Sequence, residues 1–335
     1  MIKRCFLFFI VITFITSACQ RTRPVFVSIT GYTQGGSFHI KYQPNTDSVS
    51  SEEIYQLLND ISHSLSIYDT NSIICHINRN DTLVKLDRYF CEIFQKAYHI
   101  YQQTDGLFDI TVAPLVKHWG FIPKDSIVDQ YKPTDSLLDL IGMNKIRMEN
   151  NRLIKKNKNM QIDVNAIAQG YTVDKLALLL ESKGIKNYMI EVGGEVRVNG
   201  VNDKGEPWNV GIDKPIEQSD ETNRELQTIV SITNTSLATS GNYRKFIEIN
   251  GVKYSHIINP KTGMPVHQRL LSVTVVMPSC TDADALATAI MVMGLEKGKS
   301  FVLQHSSLDA YFIYSDEKGN LQTWMTKGLE KNCTE

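Results

Sequence analysis

Apolar and polar positions along the chain repeat with two periods, and the change from one to the other outlines the fold. From Val25 to Tyr42 they alternate, which predicts strands interrupted by Gly31, Gly35 and Gly36. The period then lengthens. Ser50 and Glu53 have capping-box spacing, and Ile54, Leu57, Leu58, Ile61 and Leu65 follow at helical intervals. A second amphipathic helix is predicted from about Arg88 to Gln103, and a third from Gln169 through Leu180, ending near Gly184. From Lys186 onward the pattern becomes short and strand-like at Tyr188 to Val192, Glu195 to Val198, Trp208 to Ile212, Ile229 to Thr233, Lys245 to Ile249 and Leu271 to Val276. A last helix is predicted from Asp284 to Met293, closed by Gly294. Strands group with strands and helices with helices. The expected class is therefore α+β, with mixed or antiparallel sheets and packed helices, and not a doubly wound parallel sheet.

The first residues follow neither period. Lys3 and Arg4 precede an apolar run from Cys5 to Thr16, and Ser17 and Ala18 lead into Cys19. The run is too short to cross a bilayer core of roughly 30 Å as a helix, and it suits an export signal. A Cys directly after small residues resembles the processing site of bacterial lipoproteins, although Thr16 stands where an aliphatic residue is usual. The expectation is a signal peptide at 1–18, a lipidated Cys19 and a single domain over 19–335, on the periplasmic side of the cell inner membrane. A soluble secreted protein cut nearby is the alternative.

Composition narrows the function. Hydrophobic residues make up 42% and charged residues 21% of 335 positions, with a formal net charge of −1. That balance exerts no general pull on nucleic acid. Cys75, Cys91, Cys280 and Cys333 are widely spaced without C-x-x-C, so zinc and iron–sulfur sites lack support and no disulfide can be assigned.

Several short stretches could carry chemistry, each with an ordinary structural alternative. Asp284 and Thr288 are four apart on a predicted helix and share one face. A carboxylate with a hydroxyl suits Mg²⁺, and an acid in a first helical turn also simply complements the dipole. Ile162 to Tyr171 reads as a strand-to-helix passage whose helix-start amides could hold phosphate, or as a packing turn with Asp163 or Asn165 as cap. Thr239 to Arg244 reads as a loop able to take an anion, or a plain surface turn. Thr104 to Thr111 places two carboxylates beside an aromatic, either for the polar rim of a planar ring or as turn residues around a buried Phe. His256, before the Pro260 to Gly263 turn, is the best general-base candidate among eight histidines. Glu191 to Glu195 lacks G-x-G-x-x-G and precedes a strand pattern, which argues against a Rossmann NAD site.

In order, these stretches resemble the ApbE family, the FAD:protein FMN transferases. The match runs through Gly31 to Gly35, Leu65 to Asp69 with Ser72 and Asn78, Asp105 to Val116 with Trp119 to Phe121, Ile162 to Asp174, Glu191 to Glu195, Thr239 to Tyr243, His256 to Gly263 and Ala283 to Thr288. The resemblance implies Mg²⁺ bound by Asp284, Thr288 and the carbonyl of Ala166. It implies FAD contacts at Gln34, Tyr68, Leu107, Phe108, Asp109, Asp163, Gln169 and Ile258, with Thr239 and Ser240 near the phosphate path and His256 catalytic. The implied substrate is FAD, and the implied acceptors are proteins such as subunits of membrane electron-transfer complexes. Gln169 stands where many members carry Lys, and Ala287 where some carry an acid. FAD pyrophosphatase and non-catalytic flavin-binding lipoprotein are the rival readings.

Overall fold

The alternation at the start of the chain folds as a hairpin. In the computed structural model, β1 (Val27–Thr33) and β2 (Gly36–Tyr42) pair antiparallel in unbroken register, from Val27↔Tyr42 to Thr33↔Gly36. Gln34 and Gly35 form the two-residue turn with φ of 49° and 79°, the left-handed pair that suits the twist of a tight hairpin. Gly31 does not interrupt the strand. It lies within β1 because a Cβ there would fall 2.5 Å from the Phe38 ring. The structure describes residues 24–46, 48–121, 133–216, 224–243, 246–249 and 252–334. The export segment, Cys19, Arg244 and Lys245 lie outside them.

α1 (Ser51–Leu65) carries the expected capping box, with Ser50 and Glu53 satisfying each other's main-chain amides. Next come α2 (Ile73–Asn78), α3 (Arg88–Gln103), a 3₁₀ turn at Ile110–Val112, α4 (Ala113–His118) and α5 (Asp135–Leu138). After a second 3₁₀ turn at Met143–Lys145, the hairpin of β3 (Ile146–Glu149) and β4 (Arg152–Lys155) leads to α6 (Ala168–Ser182). The strand-rich half contains β5 (Tyr188–Val192), β6 (Glu195–Asn199), β7 (Trp208–Asp213), β8 (Leu226–Ile232), β9 (Thr235–Gly241), β10 (Phe246–Ile249), β11 (Val252–Ser255) and β12 (Leu270–Met277). It closes with α7 (Cys280–Met293), α8 (Leu295–Leu303), β13 (Asp309–Ser315), β14 (Leu321–Met325), α9 (Lys327–Glu330) and β15 (Cys333–Thr334).

The main sheet runs β1-β2-β5-β6-β9-β12-β13-β14, antiparallel at every pair. β15-β8-β7, β10-β11 and β3-β4 form smaller sheets. The class is α+β, as the grouping of periods predicts. One helix lies at the centre. α7 is buried along almost its whole length, with Ala283, Ala285, Ala287 and Ala289 fully inaccessible, and it packs on α6, β9 and β12. Small residues let the neighbours approach that closely.

Two expectations need correction. Thr239 and Ser240 lie on β9, an inner strand between β6 and β12, and not in a loop. Their small polar side chains suggested a turn, but β12 supplies ladder partners, Thr274 opposite Thr239 and Val273 opposite Ser240, and tertiary pairing overrides local preference. α7 also begins at Cys280, ahead of Asp284, because Ser279 caps it by accepting the Asp282 amide. Cys75, Cys91, Cys280 and Cys333 are free thiols. No described helix is long and apolar enough to cross a membrane.

Candidate active site

The site is built where α6 meets α7. Gly170, in the first turn of α6, has no side chain to hold the helices apart. A Cβ there would lie 2.4 Å from the Cys280 carbonyl oxygen and 2.8 Å from the Asp284 Cβ. At this range the Gly170 amide donates to Asp284 Oδ2 at 3.0 Å. In an uninterrupted helix that amide would close on the carbonyl four residues back, Ala166. Its diversion to Asp284 spares the Ala166 carbonyl that bond and leaves Asp284 Oδ1 for another partner. Burial raises the Asp284 carboxyl to about 7, against the pull of the Gly170 amide. Gly170→Ala should cost about 1–3 kcal/mol by forcing the helices apart. Thermal unfolding checks this, and an unchanged midpoint would show that they separate freely.

One turn along α7, Thr288 Oγ1 is 2.8 Å from Ser240 Oγ on β9. Thr239, the next residue on the strand, points to the other side of the sheet. Its hydroxyl meets Thr274 of β12 at 2.8 Å. Of the two hydroxyls expected along one phosphate path, only Ser240 faces α7. The start of α7 is held by a residue whose role the sequence did not reveal, Asp174. Its carboxylate accepts from the Cys280 and Thr281 amides at 3.1 and 2.9 Å, from the Thr281 hydroxyl at 2.7 Å and from Arg197 at 2.7 Å. Asp174 lies one helical turn after Gly170, on the face of α6 that meets α7.

The side-chain donors at this junction are a carboxylate and a hydroxyl, Asp284 and Thr288. Both are oxygens, the set preferred by a hard cation such as Mg²⁺. Among the described residues no group of three or more His, Cys, Asp or Glu side chains converges. A buried carboxyl with a raised pKa gains most from a nearby positive charge, so the residues present fit a divalent cation.

The segment leading into α6 is pinned from two sides. Asn78 donates to the Ile162 carbonyl at 2.9 Å and accepts its amide at 2.7 Å, and the Asp163 amide donates to Ile110. Asp163 Oδ1 accepts the Asn165 amide at 2.8 Å, so neither residue caps α6. The helix starts at Ile167 without a side-chain cap. Tyr68 is 68% exposed and lies near this turn, with Asp163 and Asn165 close enough to influence its hydroxyl. Its loop is shaped by Ser66 Oγ, which accepts the Tyr68 and Asp69 amides, and by Ser72, which donates to the Ser66 carbonyl. An exposed ring held in this way offers a stacking face.

Gln169 and Gln34 line the opposite wall. The Gln169 amide lies against bare backbone, where a Cβ on Gly193 would come within 2.1 Å of Nε2. Gly193 has φ of +63°, and the Gly193–Gly194 bend makes room for that side chain. Gln34 Nε2 donates to Thr172 Oγ1 at 2.6 Å, while its buried Oε1 has no hydrogen-bond partner. An orphaned acceptor facing a site is most simply explained by a donor that arrives with a ligand.

Around Phe108 the turn-forming reading describes the geometry. Phe108 is a core residue, and half-buried Leu107 packs against the same core. The Asp109 carboxylate accepts the Thr111 amide and hydroxyl at 2.8 and 2.6 Å and the Met143 amide at 3.2 Å. Burial lifts it to about 6, against those bonds. The Phe108 amide is likewise engaged, donating to Thr104 Oγ1 at 3.1 Å, so both side chains and this amide serve the fold. Beside them lies a cleft of about 510 Å³ whose lining includes Gly106, Asp109, Ile141, Asn144 and Lys261.

His256 follows β11. Its half-buried ring meets Phe121 edge to face, with centroids 6.4 Å apart. The next two residues belong to different cores, Ile257 to the main one and Ile258 to a smaller one with Leu115, Trp119 and Ile141. Trp119 Nε1 donates to the Gly263 carbonyl at 2.8 Å, which fastens the Trp119–Phe121 turn to the Pro260–Gly263 turn and fixes the backbone on either side of His256.

The order and spacing of these segments is also a family signature. The profile of the ApbE family matches residues 34–312. The chain belongs to the ApbE family. It is 33% identical over 318 residues to the FAD:protein FMN transferase of Haemophilus influenzae, covering 90% of each chain. It is 36% identical over 304 residues to the protein of the same name from Vibrio cholerae, covering 88% of this chain and 89% of that one. The solved flavin transferase ApbE of Vibrio cholerae superposes with a TM-score of 0.78 at 32% identity, covering 92% of this chain and 99% of that structure. The ApbE protein of Thermotoga maritima gives the same TM-score at 25% identity, covering 93% and 100%. In this ApbE-family chain the matched span contains the α6–α7 junction, Tyr68, Gln169 and His256 together.

Proposed function

We propose that this protein is an FAD:protein FMN transferase, which moves FMN from FAD to a Ser or Thr hydroxyl of another protein and releases AMP. The observation that supports the reading is the α6–α7 junction, where Asp284 and Thr288 offer oxygen atoms within a chain similar throughout to flavin transferases. Asp284, Thr288 and Ala166 would hold Mg²⁺, which when bound would neutralise charge on the pyrophosphate. Tyr68 offers a ring for stacking on the isoalloxazine, and Gln34 and Gln169 line the approach. The acceptor hydroxyl oxygen forms a bond to the FMN-side phosphorus as the phosphoanhydride bond to AMP breaks. The hydroxyl proton passes to His256, directly or through a neighbour. His256 is the proton acceptor in this reading because its ordinary pKa lies near neutrality and its backbone is held on both sides.

The mature protein acts outside the cytoplasm, anchored at the inner membrane through lipidated Cys19. This rests on Lys3 to Cys19 in the sequence. Its acceptors are subunits of membrane electron-transfer complexes and related flavin carriers, as the family resemblance implies.

The test is to incubate the protein with FAD, Mg²⁺ and a candidate acceptor domain, and to measure the acceptor mass. An FMN-sized gain with AMP release is expected. FMN and AMP free in solution would replace transfer by hydrolysis, and unchanged FAD would mean a flavin-binding protein.

A further inference from the structure

The transfer reading needs a second protein to deliver a hydroxyl, and the outer edge of the main sheet leads to the place of delivery. Among the described residues β1 pairs on one side only, with β2. Edge strands in folded proteins are usually blunted by charge, proline or a bulge. β1, Val27–Thr33, has none of these. It contains no charged residue and no proline, and its register with β2 is unbroken over all seven residues.

The hairpin geometry fixes which main-chain groups face outward. A two-residue turn closes on a hydrogen-bonded pair, here Thr33↔Gly36, so Thr33, Gly31, Ile29 and Val27 bond to β2. Ser28, Thr30 and Tyr32 therefore turn their N–H and C=O groups away from the sheet. The Thr30 carbonyl confirms this direction, since it accepts a long 3.5 Å bond from the Tyr55 hydroxyl and not from β2. The side chains of Ser28, Thr30 and Tyr32 are exposed, Tyr32 at 73%.

The strand ends at the candidate site. Past Thr33, Gln34 bonds to Thr172 of α6, and a Cβ on Gly36 would lie 3.2 Å from Gly193 Cα and 4.0 Å from Gln169 Nε2. The opposite edge, β14, is separated from β9 by β12 and β13 and has no such continuity.

Building on the transfer reading, we propose that the acceptor protein docks by adding an extended segment to the free edge of β1, with its Ser or Thr carried past Tyr32 and the Gln34–Gly35 turn into the site. Main-chain pairing would supply affinity, and the exposed Tyr32 ring would cover the incoming strand. The occupant is an extended peptide segment because an uncharged, unbulged edge offers outward main-chain groups at Ser28, Thr30 and Tyr32 and little else, with only the long Tyr55 bond to the Thr30 carbonyl to displace.

Thr30→Pro tests this. It removes an outward N–H that β2 does not use, the one setting in which a strand tolerates proline. With FAD, Mg²⁺ and an acceptor domain that the wild-type protein flavinylates, the variant should show an acceptor KM raised about tenfold. FAD affinity, read by flavin fluorescence, and the thermal midpoint should stay unchanged. Thr30→Lys, which keeps the N–H and adds an edge charge, should raise KM in the same direction and covers the case in which the proline variant fails to fold. An unchanged acceptor KM in folded Thr30→Pro, or in Thr30→Lys if the proline variant is unfolded, would overturn edge docking and leave the transferase reading standing. If the wild-type protein flavinylates no acceptor and only cleaves FAD, the transferase reading falls and the docking proposal with it.

Discussion

Asp284→Ala should lower FMN transfer by about 10³-fold, the scale seen when a group aimed at developing charge is removed. Asp284 is the only charged donor proposed at the junction, and Thr288 and the Ala166 carbonyl would be left as neutral oxygens. The loss should be one of chemistry and not of folding. Removing a carboxyl whose pKa burial has raised to about 7 relieves a desolvation cost in the metal-free protein. That relief is offset by the Gly170 amide, which loses its acceptor, so the variant should melt close to the wild-type temperature without Mg²⁺ and gain less from Mg²⁺ than the wild type does. Acceptor mass measured at saturating FAD and Mg²⁺ gives the rate. Full activity in that variant would remove Asp284 from the metal site.

His256→Gln should lower kcat by about 10²- to 10⁴-fold, the range for loss of a general base. Glutamine keeps a polar tip of similar reach and can still hydrogen-bond, but it cannot take a proton near neutral pH. Phe121 and the Trp119–Gly263 bond hold this stretch of backbone, so the substitution should leave FAD affinity close to that of the wild type. A pH–rate profile separates the roles. The wild type should lose rate on the acid side as the imidazole protonates, and the variant should have lost that limb. An unchanged limb would assign the proton transfer to another group.

The fold was largely legible because period and punctuation agreed. The capping box at Ser50 and Glu53 and the Gly294 terminus fell where local chemistry placed them, while of the three glycines expected to break the first strands only Gly35 does, Gly31 and Gly36 lying within β1 and β2. β9 was missed for the opposite reason. Thr235–Gly241 is small and polar enough to suit a loop, and only its neighbours β6 and β12 make it a strand. The same tertiary logic hid Asp174. Its partners Cys280 and Thr281 lie more than a hundred residues away in sequence, so no local signal marks it as the clamp on α7.

Site residues divided in a similar way. Asp284 and Thr288 could be paired by counting along a helix. That Ser240 faces α7 and Thr239 faces away follows from a strand register no periodicity disclosed. Asp109 illustrates the limit of reading by residue type, because both its oxygens are committed to the Ile110–Val112 turn and Met143. Gly170 was visible as a small residue in the first turn of a helical run, but its value lies in the contact it avoids, since a Cβ there would sit only 2.4 Å from the Cys280 carbonyl oxygen.

The burial of α7 has a consequence for exchange with solvent. Asp284 and Thr288 ride on a helix enclosed by α6, β9 and β12, with its start clamped by Asp174 and Arg197. Among the described residues its cover is helix and sheet, which cannot peel away to expose its amides one at a time. They should exchange with deuterium only through openings that disrupt the core, at rates set by global stability. The exposed loop carrying Tyr68 should exchange far sooner. The half of the proposed flavin site on α7 would then be as durable as the protein itself, while the Tyr68 loop breathes on its own clock.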